Sequence, residues 1–371
     1  MKTNLRKPAL VLHRYAGIMA GILLAIIGLT GGVLVFAEEL NLILYPQLLQ
    51  VTPEGDRLSH QRLAEIVHQA YPDLKTQRIT VPQKPEDAYT VSLVSKKDEY
   101  SNVYLNPYNG AILGFQPWTQ TLQGFLFELH VRLFAGDLGM QIVGICGVLL
   151  LLLGVTGILL IPKWKPLKNN FKIRWRSPWK LINYDLHKVT GVLSVLFLSL
   201  IAFTGAAMVF WTPFEAAVHW LTRTPITPEV VSKVVPGVPS MKLDKILQKA
   251  ELALPEAKVF KFYPAKKPED TFGVWMRLPS ENAFNKDPFL YLDQYTGKVL
   301  RIHNPKQDSL ATRIVSAQYV LHVGSYGGLA TRFLYLLIGI APAGLFMTGF
   351  LIWWSKTYGA KSNKRQSAKQ S

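Results

Sequence analysis

Four stretches of this chain are apolar and long enough to cross a bilayer, and they leave little choice of fold. They are Leu10–Leu40, Met140–Ile161, Leu186–Trp211 and Leu329–Trp354. A crossing takes about 20 apolar residues, and lipid cannot satisfy an open backbone, so each run is read as a helix. The first run is too long for the apolar core of a secretory signal, and no Ala-x-Ala cleavage site follows it. Between the runs the sequence turns polar and alternating, which is the pattern of small extramembrane domains.

Charge sets the expected topology. Met1–Leu10, Pro162–Tyr184 and Ser355–Ser371 contain no acid. They carry Lys2, Arg6 and Lys7, then Lys163, Lys165, Lys168, Lys172, Arg174, Arg176 and Lys180, then Lys356, Lys361, Lys364, Arg365 and Lys369. With Arg14 and Lys188 just inside the helices, these residues account for the whole net charge of +17. The positive-inside bias then predicts that both termini and the middle loop of this multi-pass protein are cytoplasmic. Anionic lipid headgroups suffice as partners for this basic face, and no nucleic acid is expected.

The organisation follows: transmembrane helix 1 within 1–40, an outer domain over 51–117, then an interfacial helix and transmembrane helix 2 over 118–161. A basic loop over 162–184 leads to transmembrane helix 3 over 185–212 and a second outer domain over 213–310. A histidine-bearing linker and transmembrane helix 4 fill 311–355, and a basic tail fills 356–371. Each outer domain reads as one helix (Leu58–Tyr71; Met241–Leu254) on a short antiparallel sheet. The sheet strands are expected at Arg78–Val81, Tyr89–Val94, Asn102–Leu105 and Ala111–Phe115, then at Lys258–Tyr263, Thr271–Arg277, Phe289–Leu292 and Lys298–Ile302. Asn109-Gly110 and Thr296-Gly297 mark the last hairpins.

The two halves match each other. His187 follows His13 by 174 positions, and that offset carries Gly17 to Gly191 and Gly31 to Gly205. His322 follows His130 by 192, which carries Gly157 to Gly349. Asp293 follows Asn106 by 187, which carries Tyr104 to Tyr291 and Gly110 to Gly297. Both halves start on the same side, so the repeats are expected to run parallel about an axis along the membrane normal.

Four of the eight histidines stand at ends of the apolar helices: His13 in Leu-His-Arg, His187 in Leu-His-Lys, and His130 and His322 each in Leu-His-Val. With the hairpin phrases Tyr-Leu-Asn-Pro-Tyr-Asn-Gly and Tyr-Leu-Asp-Gln-Tyr-Thr-Gly, these motifs resemble the PepSY-associated transmembrane helix family over nearly the whole chain. The second hairpin departs from the pattern, with Gln294 where Pro107 stands in the first, at some cost in turn rigidity. The resemblance implies an α-helical membrane protein of four transmembrane helices in two parallel repeats, with two periplasmic α+β PepSY-like domains. It also implies a place in the bacterial inner membrane and a link to iron uptake, because the family includes inner-membrane proteins of bacteria, among them periplasmic ferric-siderophore reductases that carry haem b.

Depth pairs the histidines. His13 and His187 lie at the cytoplasmic ends of spans, whereas His130 and His322 precede spans that run inward. A span rises about 30 Å, so His13 and His130 cannot share one iron. The expected pairs are His13 with His187 and His130 with His322, each ligating one of two haems axially. Gly17, Gly191, Gly31 and Gly205 would make room for the rings, and Arg14, Lys188 and Arg132 would meet the haem carboxylates. His303, just past the second hairpin, is a weaker candidate for the substrate side.

Other chemistry is disfavoured. The single cysteine, Cys146, excludes an intramolecular disulfide and a cysteine-ligated cluster. There is no Gly-x-Gly-x-x-Gly after a strand, no Walker motif and no His-Glu-x-x-His. The expected activity is that of an oxidoreductase, taking electrons from a cytoplasmic flavoprotein or quinol and reducing a ferric siderophore in the periplasm. The alternative is a non-enzymatic PepSY-domain protein that binds peptides or regulates a peptidase.

Overall fold

The computed structural model describes residues 5–161, 171–226, 228–279, 287–304 and 307–367. In chain order, α1 (Arg6–Leu34) is followed by α2 (Ala37–Leu44), α3 (Pro46–Leu49) and α4 (His60–Ala70). Next come β1 (Lys75–Thr80), β2 (Tyr89–Val94), β3 (Tyr100–Leu105) and β4 (Ile112–Pro117). Then α5 (Leu122–Arg132), α6 (Gly136–Leu160), α7 (Trp179–Val209), α8 (Trp211–Thr222) and α9 (Leu243–Ala253) precede β5 (Lys258–Tyr263) and β6 (Thr271–Arg277). The chain closes with β7 (Phe289–Asp293), β8 (Val299–His303), α10 (Leu310–Val323) and α11 (Gly328–Ser367). Of the basic residues that set the expected topology, Lys2, Lys163, Lys165, Lys168 and Lys369 lie outside the described residues.

The chain divides into two compact units. One is residues 1–36, 126–214 and 318–371, and the other is residues 37–125 and 215–317. The first is a helical membrane unit. Among the described residues four helices are long and apolar enough to cross a membrane: α1, α6, α7 and the apolar part of α11. In this unit α1 packs on α6 and α11, and α7 packs on the same two helices. At the α1–α11 crossing Gly28 and Gly339 meet backbone to backbone: a Cβ on either would lie within 2.7 Å of the other's carbonyl oxygen. Small residues permit this approach, which lipid-embedded helices use in place of a hydrophobic driving force.

The span expected over Leu10–Leu40 is shorter than its apolar run. α1 stops at Leu34, and α2 starts afresh at Ala37 with Glu38 and Glu39 in its first turn, where acids favour a helix start. The segment after His130 breaks instead of running on. Leu133 and Phe134 take positive φ of 50° and 55°, and Gly136 opens α6 at 56°. Gly324, at φ 70°, ends α10 in the corresponding place.

The second unit departs from the expectation of two separate small sheets. Its eight strands form one sheet, in the order β4-β3-β2-β1-β5-β6-β7-β8, and every pairing is antiparallel. The seam is β1–β5, where Ile79 faces Phe262 and Thr80 faces Lys261. Ile79 and Phe262 are both fully buried, in a single core with Leu63 and Val67 of α4 and Ile246 and Leu247 of α9. Burying one such side chain is worth about 1.5–3 kcal/mol, so neither half could expose its seam cheaply.

The two helices also cap one another. Asp244 of α9 accepts from the backbone N–H of His60 (2.8 Å) and Gln61 (3.2 Å) at the start of α4, while Gln61 Oε1 accepts from Leu243 N–H (3.1 Å). Each side chain satisfies donors that a helix N-terminus leaves open.

The terminal hairpins form where the motifs place them. Gly110 and Gly297 take φ of 76° and 66°, a region that costs a residue with a Cβ, and each donates its N–H to the residue four before it. Gln294 proves more than a loss of rigidity. It is buried, and its Nε2 donates to the carbonyls of Lys267, Pro268 and Asp270. A side-chain network thus holds the second turn where proline stiffens the first.

Candidate functional site: two histidine pairs in the membrane unit

The four helix-end histidines fall into two pairs. His13 of α1 and His187 of α7 have ring centroids 6.2 Å apart. His130 of α5 and His322 of α10 are likewise 6.2 Å apart. The pairs lie at different depths. His130 Nδ1 is bonded to Ile27 O of α1, which is fourteen residues along the helix from His13, or roughly 21 Å. His322 Nδ1 is bonded to Ile201 O of α7, which stands in the same relation to His187.

Hydrogen bonds settle which ring nitrogen carries the proton. His130 Nδ1 lies 2.9 Å from Ile27 O, and His322 Nδ1 lies 3.0 Å from Ile201 O. A carbonyl only accepts, so both Nδ1 atoms donate. His13 Nδ1 meets Thr156 Oγ1 at 2.9 Å, and His187 Nδ1 meets Thr348 Oγ1 at 2.9 Å. Each hydroxyl already gives its proton to its own helix, Thr156 to Leu152 O and Thr348 to Gly344 O, both at 2.7 Å. The threonine oxygens therefore accept, and Nδ1 again donates. Thr30 and Thr204 add second contacts to His130 and His322, at 3.2 and 3.1 Å. Each Nε2 is left with a bare lone pair and, among the described residues, no hydrogen bond. This is the tautomer of a metal-ligating imidazole, whose other nitrogen is held by a carbonyl or similar acceptor.

The spacing fits one metal between each pair. A metal–imidazole bond is about 2 Å and the nitrogen sits roughly 1.1 Å from the ring centre, so two imidazoles trans on one metal have centroids roughly 6 Å apart. The interplanar angles are 89° and 55°; rotating either ring about a shared ligand axis would leave the centroid distance unchanged, so the angle is no bar to this. Among the described residues no three His, Cys, Asp or Glu side chains gather. Each pair offers two ligands, which suits a metal that brings its other donors with it, as iron in a porphyrin does.

The glycines divide in their roles. A Cβ on Gly31 would lie 2.7 Å from His130 Cε1, and one on Gly205 would lie 2.8 Å from His322 Cε1. They admit the histidine rings themselves. Gly17 and Gly191 instead meet Leu153 and Leu345, each at an ordinary 3.7 Å. The three cations differ too. Arg132 pairs with Glu128 at 2.8 Å, and Lys188 pairs with Asp185 at 3.4 Å. Arg14 makes no ion pair among the described residues. His303 lies in the sheet unit, paired with Asp308 at 2.7 Å.

Several residues of the site carry no obvious motif. The four threonines obey the histidine offsets, Thr30 to Thr204 by 174 and Thr156 to Thr348 by 192, so the duplication could have found them. Asn183, which donates to Thr348 O at 3.0 Å, has Ala9 at its counterpart, and Asp185 has Val11. Asp185 is 1% exposed and accepts from Arg174 through Nε (2.7 Å), Nη2 (3.0 Å) and the backbone N–H (3.1 Å). This lock ties the segment before α7 to that helix in one half only.

Known proteins bear on the whole chain. An 84-residue stretch is 39% identical to the uncharacterized protein PA4219 of Pseudomonas aeruginosa, covering 22% of this chain and 20% of that protein. The chain therefore spans about a fifth of that relative's length in the match. The PepSY-associated TM region family matches residues 10–356, from the start of α1 into the end of α11. With four membrane-type helices, a separate antiparallel sheet and a match of this extent, the chain belongs to the PepSY-associated TM region family.

Proposed function

We propose that this protein carries electrons across a bacterial inner membrane through two haems b and reduces a ferric siderophore on the periplasmic side. The observation that supports this is the pairing: two histidine pairs at one spacing and two depths, each with Nδ1 tied as a donor and Nε2 free. Bound haem would supply one-electron chemistry at each pair. The residues supply the rest. The two histidines of each pair would hold the iron and leave it no open site, which would suit passing electrons rather than binding oxygen. The threonine and carbonyl acceptors fix the ring orientation and raise the basicity of Nε2. Gly31 and Gly205 let the His130 and His322 rings seat against α1 and α7.

In this reading the halves are parallel repeats, with both termini and the basic middle segment cytoplasmic and the sheet unit periplasmic. Electrons enter beside His13 and His187 from a flavoprotein or quinol, and leave beside His130 and His322. Each electron delivered converts Fe(III) to Fe(II), which hard oxygen donors hold far less tightly, so the iron is released.

The test is a spectrum of the detergent-purified protein before and after dithionite. A Soret band and a sharp α-band on reduction are expected. Their absence overturns the proposal. His130→Ala or His322→Ala should remove one haem and leave the other, and loss of both or of neither would count against the pairing.

A further inference from the structure

The sheet has two faces, and only one is explained by the core. On the other, the registers align Thr80, Lys261, Trp275 and Phe289 side by side across β1, β5, β6 and β7. Arg78 stands two residues before Thr80 on the same face, opposite Ser92. Both cations are half-buried near the centre of the eight strands.

Among the described residues neither cation has an ion pair within 4 Å. Lys261 makes no ion pair or hydrogen bond among the described residues, and its ammonium has only the Phe260 ring, 5.5 Å from the centroid. Arg78 donates through Nη2 to Ser92 Oγ at 3.1 Å, and its Nε is buried with no acceptor. Of the cations nearby, Arg277 does have an acid, Asp287, at 3.4 Å. Burial, and then the Arg78 charge, push the Lys261 ammonium below its usual range; Arg277 adds to the repulsion, while Glu38 and Asp287 pull the other way without outweighing it. Burying a charge and leaving a buried donor unmet both cost free energy. The fold does not require cations here, since neighbouring positions on this face carry Thr80, Thr90 and Ser92. An arriving oxyanion would meet both unmet demands at once.

Aromatic rings border the cations. Trp275 and Phe289 meet edge-on at 4.9 Å, and Phe289 and Tyr291 at 4.6 Å. Such a cluster offers flat apolar surface to a ring-bearing ligand. We infer that this face, centred on Arg78 and Lys261, binds a negatively charged, ring-bearing metal chelate, which makes the substrate class an anionic ferric chelate. The identification of the chelated metal as ferric iron rests on the proposed function; the preference for an anion does not.

Gallium(III) chelates separate binding from reduction, because gallium accepts no electron here. Full-length protein in detergent would be titrated with triply negative gallium tris-catecholate and with neutral gallium tris-hydroxamate. The anionic chelate should bind at least about tenfold more tightly. Lys261→Gln and Arg78→Gln should each remove most of that preference and leave the neutral chelate within about twofold. Lys261→Arg should retain it, and thermal midpoints would check that each variant folds. Equal affinity for the two chelates, or variants that bind as the wild type does, would overturn the inference. So would capture of phosphatidylglycerol vesicles by the same two cations without chelate binding, because the oxyanion recognised would then be a lipid phosphate. A charge-selective chelate site in a protein without haem bands would instead overturn the proposed function and leave this site standing.

Discussion

Thr348 Oγ1 lies 2.9 Å from His187 Nδ1 and gives its own proton to Gly344 O, so the histidine must donate to the threonine. That one relationship fixes the tautomer and aims the lone pair of Nε2. Thr348→Val keeps the side-chain shape and deletes the acceptor. Outer-shell partners of this kind are worth about 10–100-fold in metal affinity. If haem binds as proposed, titration of the apoprotein should show a loss of that order at one of the two proposed sites. The midpoint potential of that site should rise, since a less polarised imidazole stabilises Fe(III) less. Unchanged affinity and potential would remove the threonine from the argument.

The His130–His322 pair depends on missing Cβ atoms. Gly205→Ala would put a carbon 2.8 Å from His322 Cε1, well inside ordinary contact. The ring must move, and with it one of the two ligands proposed for that haem. If the wild type binds the two haems proposed, the variant should retain about one per chain by pyridine haemochrome assay. Gly344→Ala is the control, because a Cβ there meets nothing within 4 Å, and it should keep both.

What the sequence reveals follows from where its signals are local. Spans, hairpins and most strands are written in periodicity and turn residues, and β2, β5 and β6 match their expected limits. The pairing of histidines is legible from depth and duplication. The β1–β5 seam is not, because an apolar strand at the edge of a small sheet reads the same whether it meets solvent, a helix or another strand. Val35 and Phe36 are apolar, so hydropathy could not mark the end of α1 there. Thr30, Thr156, Thr204 and Thr348 pass as ordinary span residues until the histidines give their hydroxyls a partner. Gln294 reads in the sequence as a missing proline because its network partners, Lys267 to Asp270, are distant along the chain.

The reciprocal caps make a stability prediction for the sheet unit. Asp244→Ala leaves the His60 and Gln61 N–H groups without their acceptor, and loss of such a cap costs about 0.5–2 kcal/mol. Gln61→Ala removes the return contact to Leu243 N–H. Because the two contacts join α4 to α9 at one junction, the double variant should lose less than the sum of the singles. Thermal unfolding followed by tryptophan fluorescence would measure the cycle. Strict additivity would show that the caps act independently.

Acid should loosen the second hairpin before the first. Asp293 is buried, which by itself raises its carboxyl, but hydrogen bonds from Thr296 N–H, Lys233 N–H, Thr296 Oγ1–H and Tyr295 N–H outweigh burial and hold it below the ordinary value of 3.8. A carboxyl lowered in the folded state binds fewer protons than in the unfolded chain. Its stabilisation is therefore fully present above the unfolded value and is lost as pH falls through the folded one. At the matching turn Asn106 accepts from Tyr108 N–H at 2.9 Å with no charge to titrate. Wild-type thermal midpoints should thus hold from pH 7 to about 5 on account of this group and fall below about 4. Asp293→Asn should start lower at pH 7, having lost a charged acceptor, and fall less steeply in acid. A variant that falls as steeply as the wild type would place the acid sensitivity elsewhere.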